Sequence, residues 1–141
     1  MRCQEIMKTD VACLLAGDTA EAAARTMRDL NVGFVPICDA SRKAIGTITD
    51  RDLALRVIAE NRAASTPLGA LMSGEVVACG AEDDTRKAQQ LMAKHRKSRI
   101  IVVDDGGRIA GVISLSDIAE KVGGSQAVET MKEVSAREVR S

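Results

Sequence analysis

The sequence predicts an α/β (α+β) fold of two β-α-β-β-α repeats packed as one pseudo-two-fold module, and three observations predict it. The first is self-similarity: matching residue n with residue n+65, without gaps, pairs Met7 with Met72, Asp18 with Asp83, Ala23 with Ala88, Met27 with Met92, Asp39 with Asp104, Gly46 with Gly111, Ile48 with Ile113 and Asp52 with Asp117. The second is patterning, because the matches run in register through helical, strand and turn signals alike. The third is composition: 141 residues that are 45% hydrophobic with one aromatic, Phe34, require an aliphatic core and suit two small repeats that share it.

Each repeat reads the same way along the chain. A short apolar segment (Val11–Leu15; Val76–Cys79) precedes Asp18 or Asp83, each a candidate N-cap. The helix that follows carries an apolar face at Ala22, Ala23, Thr26, Met27 and Leu30, or at Ala88, Leu91 and Met92. Two β-branched runs come next, Phe34–Cys38 with Ala44–Thr49 and Ile100–Val103 with Ile109–Ser114, separated by turns at Asp39-Ala40-Ser41 and Asp104-Asp105-Gly106-Gly107. A second helix runs from Asp50 to about Asn61, or from Leu115 to about Val122. The expected domains are residues 1–64 and 65–123, joined through a linker punctuated by Pro67. Residues 124–141 form a tail in which Val128, Met131, Val134 and Val139 are spaced for a C-terminal helix, a frayed tail being the alternative.

Composition excludes several functions. Twenty basic residues balance twenty acidic ones, and Tyr and Trp are absent, so the charge and stacking surface of a nucleic-acid binder are missing. No apolar stretch is long enough to cross a bilayer, and the N-terminal run Met1–Lys8 does not resemble a secretory signal, so no membrane association and a cytoplasmic location are expected. Cys3, Cys13, Cys38 and Cys79 form no C-x-x-C pair and read as reduced thiols. A zinc site would need three of them to converge on His95, the single histidine, so no metal is expected. His95 sits where Leu30 does in the other repeat, on the predicted face of a helix, and no cysteine has an adjacent base, so catalysis has no local support.

The most informative segments are Gly46-Thr47-Ile48-Thr49-Asp50-Arg51-Asp52 and Gly111-Val112-Ile113-Ser114-Leu115-Ser116-Asp117. In each, a strand delivers a hydroxyl residue to the first turn of a helix and an aspartate follows three residues later. A capping box explains that spacing. A nucleotide site explains it too: free N–H groups and the helix dipole favour a phosphate, the hydroxyl bonds a phosphate oxygen, Arg51 neutralises it, and the aspartate accepts from ribose hydroxyls. Three features favour the nucleotide: Asp stands where Glu or Gln is usual, the motif occurs twice, and Gly46 and Gly111 permit close approach.

These motifs, with Gly33-Phe34-Val35-Pro36-Ile37-Cys38-Asp39, resemble a tandem pair of CBS domains, the cystathionine-β-synthase-type repeat whose pair forms a Bateman module. The resemblance covers about residues 6–122 and is similar in extent to stand-alone bacterial CBS proteins linked to stress and energy responses. It implies a regulatory module without resident cofactor that binds AMP, ADP or ATP, or alternatively S-adenosylmethionine or NAD, in clefts between the repeats. By the family pattern Asp52 and Asp117 would hold ribose, and Thr49 and Ser114, aided by Arg51 and Arg99, would hold phosphate. Asp10, Val11, Ala12, Val35 and Pro36 would line one adenine slot, and Glu75, Val76, Val77, Ile100 and Ile101 the other. The resemblance also implies a homodimer that signals through an effector protein the sequence does not identify. Pro36 matches Ile101, so the two slots differ, and an exposed ion-paired charge remains the alternative for each arginine. Asp50 would repel a long polyphosphate, which favours AMP or ADP at the first repeat. A scaffold that keeps the fold and dimer without a ligand is the rival function.

Overall fold

A computed structural model describes residues 1–140, with the side chains of residues 125–127 and 136–140 outside the described set. The expected β-α-β-β-α order appears twice. In the first repeat β1 (Leu14–Leu15) pairs in parallel with β2 (Phe34–Cys38), which pairs antiparallel with β3 (Ala44–Thr49). In the second, β4 (Ala78–Gly80), β5 (Arg99–Val103) and β6 (Ile109–Ser114) repeat that order and those directions. Both antiparallel ladders shift register at one place, between Ile37 and Cys38 and between Val102 and Val103, positions 65 residues apart. The parallel pairs are bridged by helices of eleven residues, α2 (Ala20–Leu30) and α4 (Thr85–His95), the crossover that a parallel neighbour requires. A four-residue helix α1 (Cys3–Ile6) precedes them all.

The first strands are shorter than their apolar runs, and proline explains part of this. Ile101 donates its N–H to the Val77 carbonyl at 3.1 Å. Pro36, its counterpart, has no N–H to donate, so β1 begins only at Leu14. The expected caps also move by one residue. Thr19 and Asp84 are the N-caps, accepting from Ala22 N at 3.1 Å and Arg86 N at 2.9 Å. Asp18 and Asp83 instead close the preceding turn on the N–H groups of Leu15 (2.8 Å) and Gly80 (2.7 Å). The turns at Asp39 and Asp104 form as expected, each Oδ1 accepting two backbone N–H groups.

The helix after β3 has two parts, α3 (Asp50–Leu53) and a π-helical continuation over Ala54–Ile58, and stops short of Asn61. Its counterpart α5 spans Leu115–Lys121. The tail is helical, α6 (Gly124–Arg140), yet its apolar face differs from the expected one. Thr130 and Val134 are buried while Val128 and Met131 are 50% and 42% exposed; Val139 lies outside the described side chains.

The compact units do not follow the expected domain limits at 64/65. One unit is residues 11–76, holding β1–β3 with α2 and α3; the other joins residues 1–10 to 77–141 and holds β4–β6 with α4–α6. In each, a strap that precedes the other repeat completes the core. In the second-repeat unit Cys3 and Ile6 are 0% and 1% exposed and pack with Cys79, Met92, Ile100, Ile113 and Ile118. In the first-repeat unit Leu68 and Leu71, 65 positions later, are 0% exposed and pack with Ala23, Val35, Ile37 and Ile48. The straps end in matching single bridges, Lys8 with Val112 and Ser73 with Thr47. A core of about twenty aliphatic side chains therefore forms as two separate clusters, each needing residues from outside its own repeat.

Candidate functional site: the two strand-to-helix turns

In the first-repeat unit Thr49 ends β3 with extended backbone and caps α3. Its Oγ1 accepts from Asp52 N at 3.1 Å, and Asp52 Oδ2 accepts from Thr49 N at 2.9 Å. The box satisfies two donors of the helix start and fixes both side chains, leaving Asp52 Oδ1 outside the cap. Arg51 is exposed at this turn. Asp50 is exposed as well, its Oδ1 accepting from Arg51 N at 2.8 Å, while its own N–H donates to the Gly33 carbonyl at 3.0 Å. A Cβ at Gly33 would lie 2.7 Å from Asp50 Oδ2, so glycine there lets the Asp50 carboxylate lie against the strand start.

The second-repeat turn has the same geometry in a more enclosed setting. Ser114 Oγ accepts from Asp117 N at 3.1 Å, Asp117 Oδ2 accepts from Ser114 N at 2.9 Å, and Asp117 is 3% exposed. Its Oδ1 faces the Lys8 ammonium at 3.8 Å, a pairing that balances a nearly buried carboxylate. Ser116 adds a hydroxyl contact to Ser114 Oγ at 2.9 Å. Arg99, exposed at the start of β5, is the ladder partner of Ser114 and so lies beside the helix cap across one strand pair. Its counterpart Phe34 faces Thr49.

Lys8 is the residue that sequence reasoning missed. It stands 109 positions from Asp117 and carries no local motif; the strap places it by a two-bond bridge, Lys8 N to Val112 O at 2.9 Å and Val112 N to Lys8 O at 3.0 Å. Its counterpart Ser73 bridges Thr47 in the same way at 3.0 Å in both directions, but its hydroxyl accepts from Glu75 N at 3.4 Å. The straps also explain the glycines. A Cβ at Gly111 would stand 2.6 Å from the Lys8 carbonyl, and one at Gly46 2.7 Å from the Ser73 carbonyl. The close approach they permit is that of the chain's own backbone.

Of the expected adenine-slot residues, Val35, Pro36, Ile100 and Ile101 lie buried on β2 and β5. Val11, Ala12 and Val76 are half-buried, Val77 is buried, and Asp10 and Glu75 are exposed. Each leading segment crosses a unit limit, between Asp10 and Val11 and between Val76 and Val77.

The cysteines, separate in the sequence, meet in the fold: the Cys79 thiol donates to Cys3 Sγ at 3.5 Å, both residues buried. Burial first, and then contact with Cys13, pushes the Cys38 thiol up to about 12. Among the described residues no three His, Cys, Asp or Glu side chains gather as a metal site, and no helix is long and apolar enough to cross a membrane.

Comparison with known proteins gives the family. The CBS-domain family profile matches residues 3–59 and 68–124. The CBS domain-containing protein YhcV of Bacillus subtilis is 35% identical over 116 residues, covering 82% of this chain and 81% of that protein. The crystal structure of Hypoxic Response Protein I with two coordinated zinc ions superposes with a TM-score of 0.78 at 27% identity, over 86% of this chain and 98% of that one. The CBS domain pair of protein MJ0100, solved with 5-methylthioadenosine and S-adenosyl-L-methionine, superposes with a TM-score of 0.78 at 24% identity, over 88% of this chain and 97% of that one. Two profile matches, one per repeat, on two copies of one sheet order identify the chain as a member of the CBS domain family, a tandem CBS pair, and hence a regulatory module.

Proposed function

We propose that the pair binds an adenosine-containing ligand, AMP, ADP or ATP in the first instance, and passes its binding state to a separate effector protein. The observation that carries the reading is the repeated carboxylate: Asp52 and Asp117 each commit Oδ2 to the cap and keep Oδ1 outside it, that of Asp117 toward Lys8, where it would accept from a ribose hydroxyl. In this reading Thr49 and Arg51, at the start of α3, and Ser114, at the start of α5, with Arg99, its ladder partner on β5, would meet phosphate. The neighbour MJ0100, solved with two adenosine derivatives, supports including S-adenosylmethionine and methylthioadenosine beside NAD among the ligands tried. Association as a homodimer belongs to this reading and is supported by Leu55 and Ile58, 49% and 78% exposed three residues apart on the helix after β3.

A thermal-shift scan across AMP, ADP, ATP, S-adenosylmethionine, methylthioadenosine and NAD tests it. A ligand at 100 times its Kd adds about 2.7 kcal/mol to stability. The expected result is a shift with one or more of these ligands that Asp52→Ala plus Asp117→Ala abolishes, the double variant keeping its circular dichroism spectrum. A second reading, a scaffold without ligand, is favoured by the completeness of both capping boxes and by Lys8 already facing Asp117. No shift with any ligand at millimolar concentration selects the scaffold.

A further inference from the structure

Cys3, on the strap, and Cys79, on β4, meet inside the second-repeat unit with their sulfurs 3.5 Å apart and exposures of 0% and 2%. The 65-residue offset puts Leu68 and Leu14 at the corresponding positions of the other unit, where they join its aliphatic core. Hydrocarbon thus serves the same place in one copy, and two thiols stand face to face in the other. The contact polarises the pair: the hydrogen bond from Cys79 favours the Cys3 thiolate, and that same bond, with burial, holds the proton on Cys79.

We propose that Cys3 and Cys79 are a reversible disulfide site, closed by peroxide, that fastens the strap of residues 1–10 to β4. The Cys3 thiolate attacks one oxygen of hydrogen peroxide; an S–O bond forms, the O–O bond breaks and hydroxide leaves. The Cys79 sulfur then attacks the Cys3 sulfenic sulfur; the S–S bond forms, the S–O bond breaks, and the departing hydroxide takes the Cys79 thiol proton to become water, while the hydroxide of the first step takes up the proton that Cys3 released. Two thiols lose two electrons and two protons, and one peroxide becomes two waters. The 3.5 Å separation needs a closure of about 1.5 Å to reach bonding distance. Access comes through local opening of the strap, which is held to its unit by a short series of backbone bonds, including Cys3 N to Asp83 O at 2.8 Å and Gln4 N to Ala81 O at 2.9 Å. Closure at Cys3 restrains the segment that carries Lys8 to Asp117, so oxidation and the second-repeat turn share one strap. The thiol chemistry does not rest on the nucleotide reading.

The test treats the full chain with hydrogen peroxide, quenches, alkylates free thiols and maps peptides by mass spectrometry. The expected product is a linked peptide pair containing Cys3 and Cys79, lost on dithiothreitol treatment, with a melting temperature several degrees above that of the reduced protein. Cys79→Ala abolishes both the link and the redox-dependent shift. A second measurement uses Cys13→Ser plus Cys38→Ser, in which an intramolecular disulfide can join only the proposed pair. Alkylation of both Cys3 and Cys79 after peroxide, sulfinic acid at Cys3, or a link to a different cysteine overturns the proposal.

Discussion

Gly111 illustrates how single residues hold this fold. The strap carbonyl of Lys8 would lie 2.6 Å from an added Cβ, and the obstruction is backbone that cannot swing away. Gly111→Ala is therefore expected to destabilise the protein by about 1–3 kcal/mol in urea denaturation. Gly74, with nothing within 4 Å of its Cβ position, should accept alanine within about 0.5 kcal/mol. Equal midpoints for the two variants would contradict the strap contact. Asp83 gives a pH prediction. The N–H of Gly80, aided by Lys87, holds its carboxyl below the ordinary 3.8, so the folded protein keeps the charge at a pH where the unfolded chain has bound a proton. Its stabilising effect is complete above that value and is lost as pH falls through the lowered one. Asp83→Asn should flatten the acid limb of melting temperature against pH and leave its neutral plateau parallel to the parent's; an unchanged acid limb would contradict the assignment.

Short elements are fixed here by what they pack against rather than by length. The π-helical turn after α3 places Arg56 so that its guanidinium donates to the Leu71 carbonyl at 2.6 Å, satisfying the end of the Leu68–Ala70 3-10 turn. Arg56→Ala should cost about 1.5–3 kcal/mol, the range for a hydrogen bond from a charged group, measured as a lowered denaturation midpoint with an unchanged slope. A loss below 0.5 kcal/mol, roughly the surface-substitution range, would mean the bond is replaced by water. The strand-to-helix elements were legible because Thr49 with Asp52, and Ser114 with Asp117, are local spacings that cap wherever they occur. The first strands were less so: apolar runs at Val11–Leu15 and Val76–Cys79 record burial, whereas a ladder also needs a partner N–H, which Pro36 lacks.

Across the whole molecule, the compact units trade leading segments relative to sequence order. Residues 1–10 belong to the unit of the second repeat. Removing them should therefore lower hydrogen-exchange protection in β4–β6 and α4–α5, while β1–β3 retain theirs; the reverse pattern would contradict the assignment of the strap. The reason is in the core list: Cys3 and Ile6 have their apolar neighbours 70 to 115 residues away, among them Cys79 and Ile118. Such contacts leave no periodic trace near residue 3, and repeat matching alone places the limit between repeats instead of between units.

The sequence by itself determined the repeat, the order of strands and helices, the aliphatic character of both cores and the two capped turns, because periodicity, offset and cap spacing are local properties. Only the tertiary structure decided that Lys8 faces Asp117, that Cys3 meets Cys79, and that Gly46 and Gly111 make room for strap backbone. Those pairings join residues far apart along the chain. They depend on which surfaces bury against each other, a choice made by the packing of whole segments.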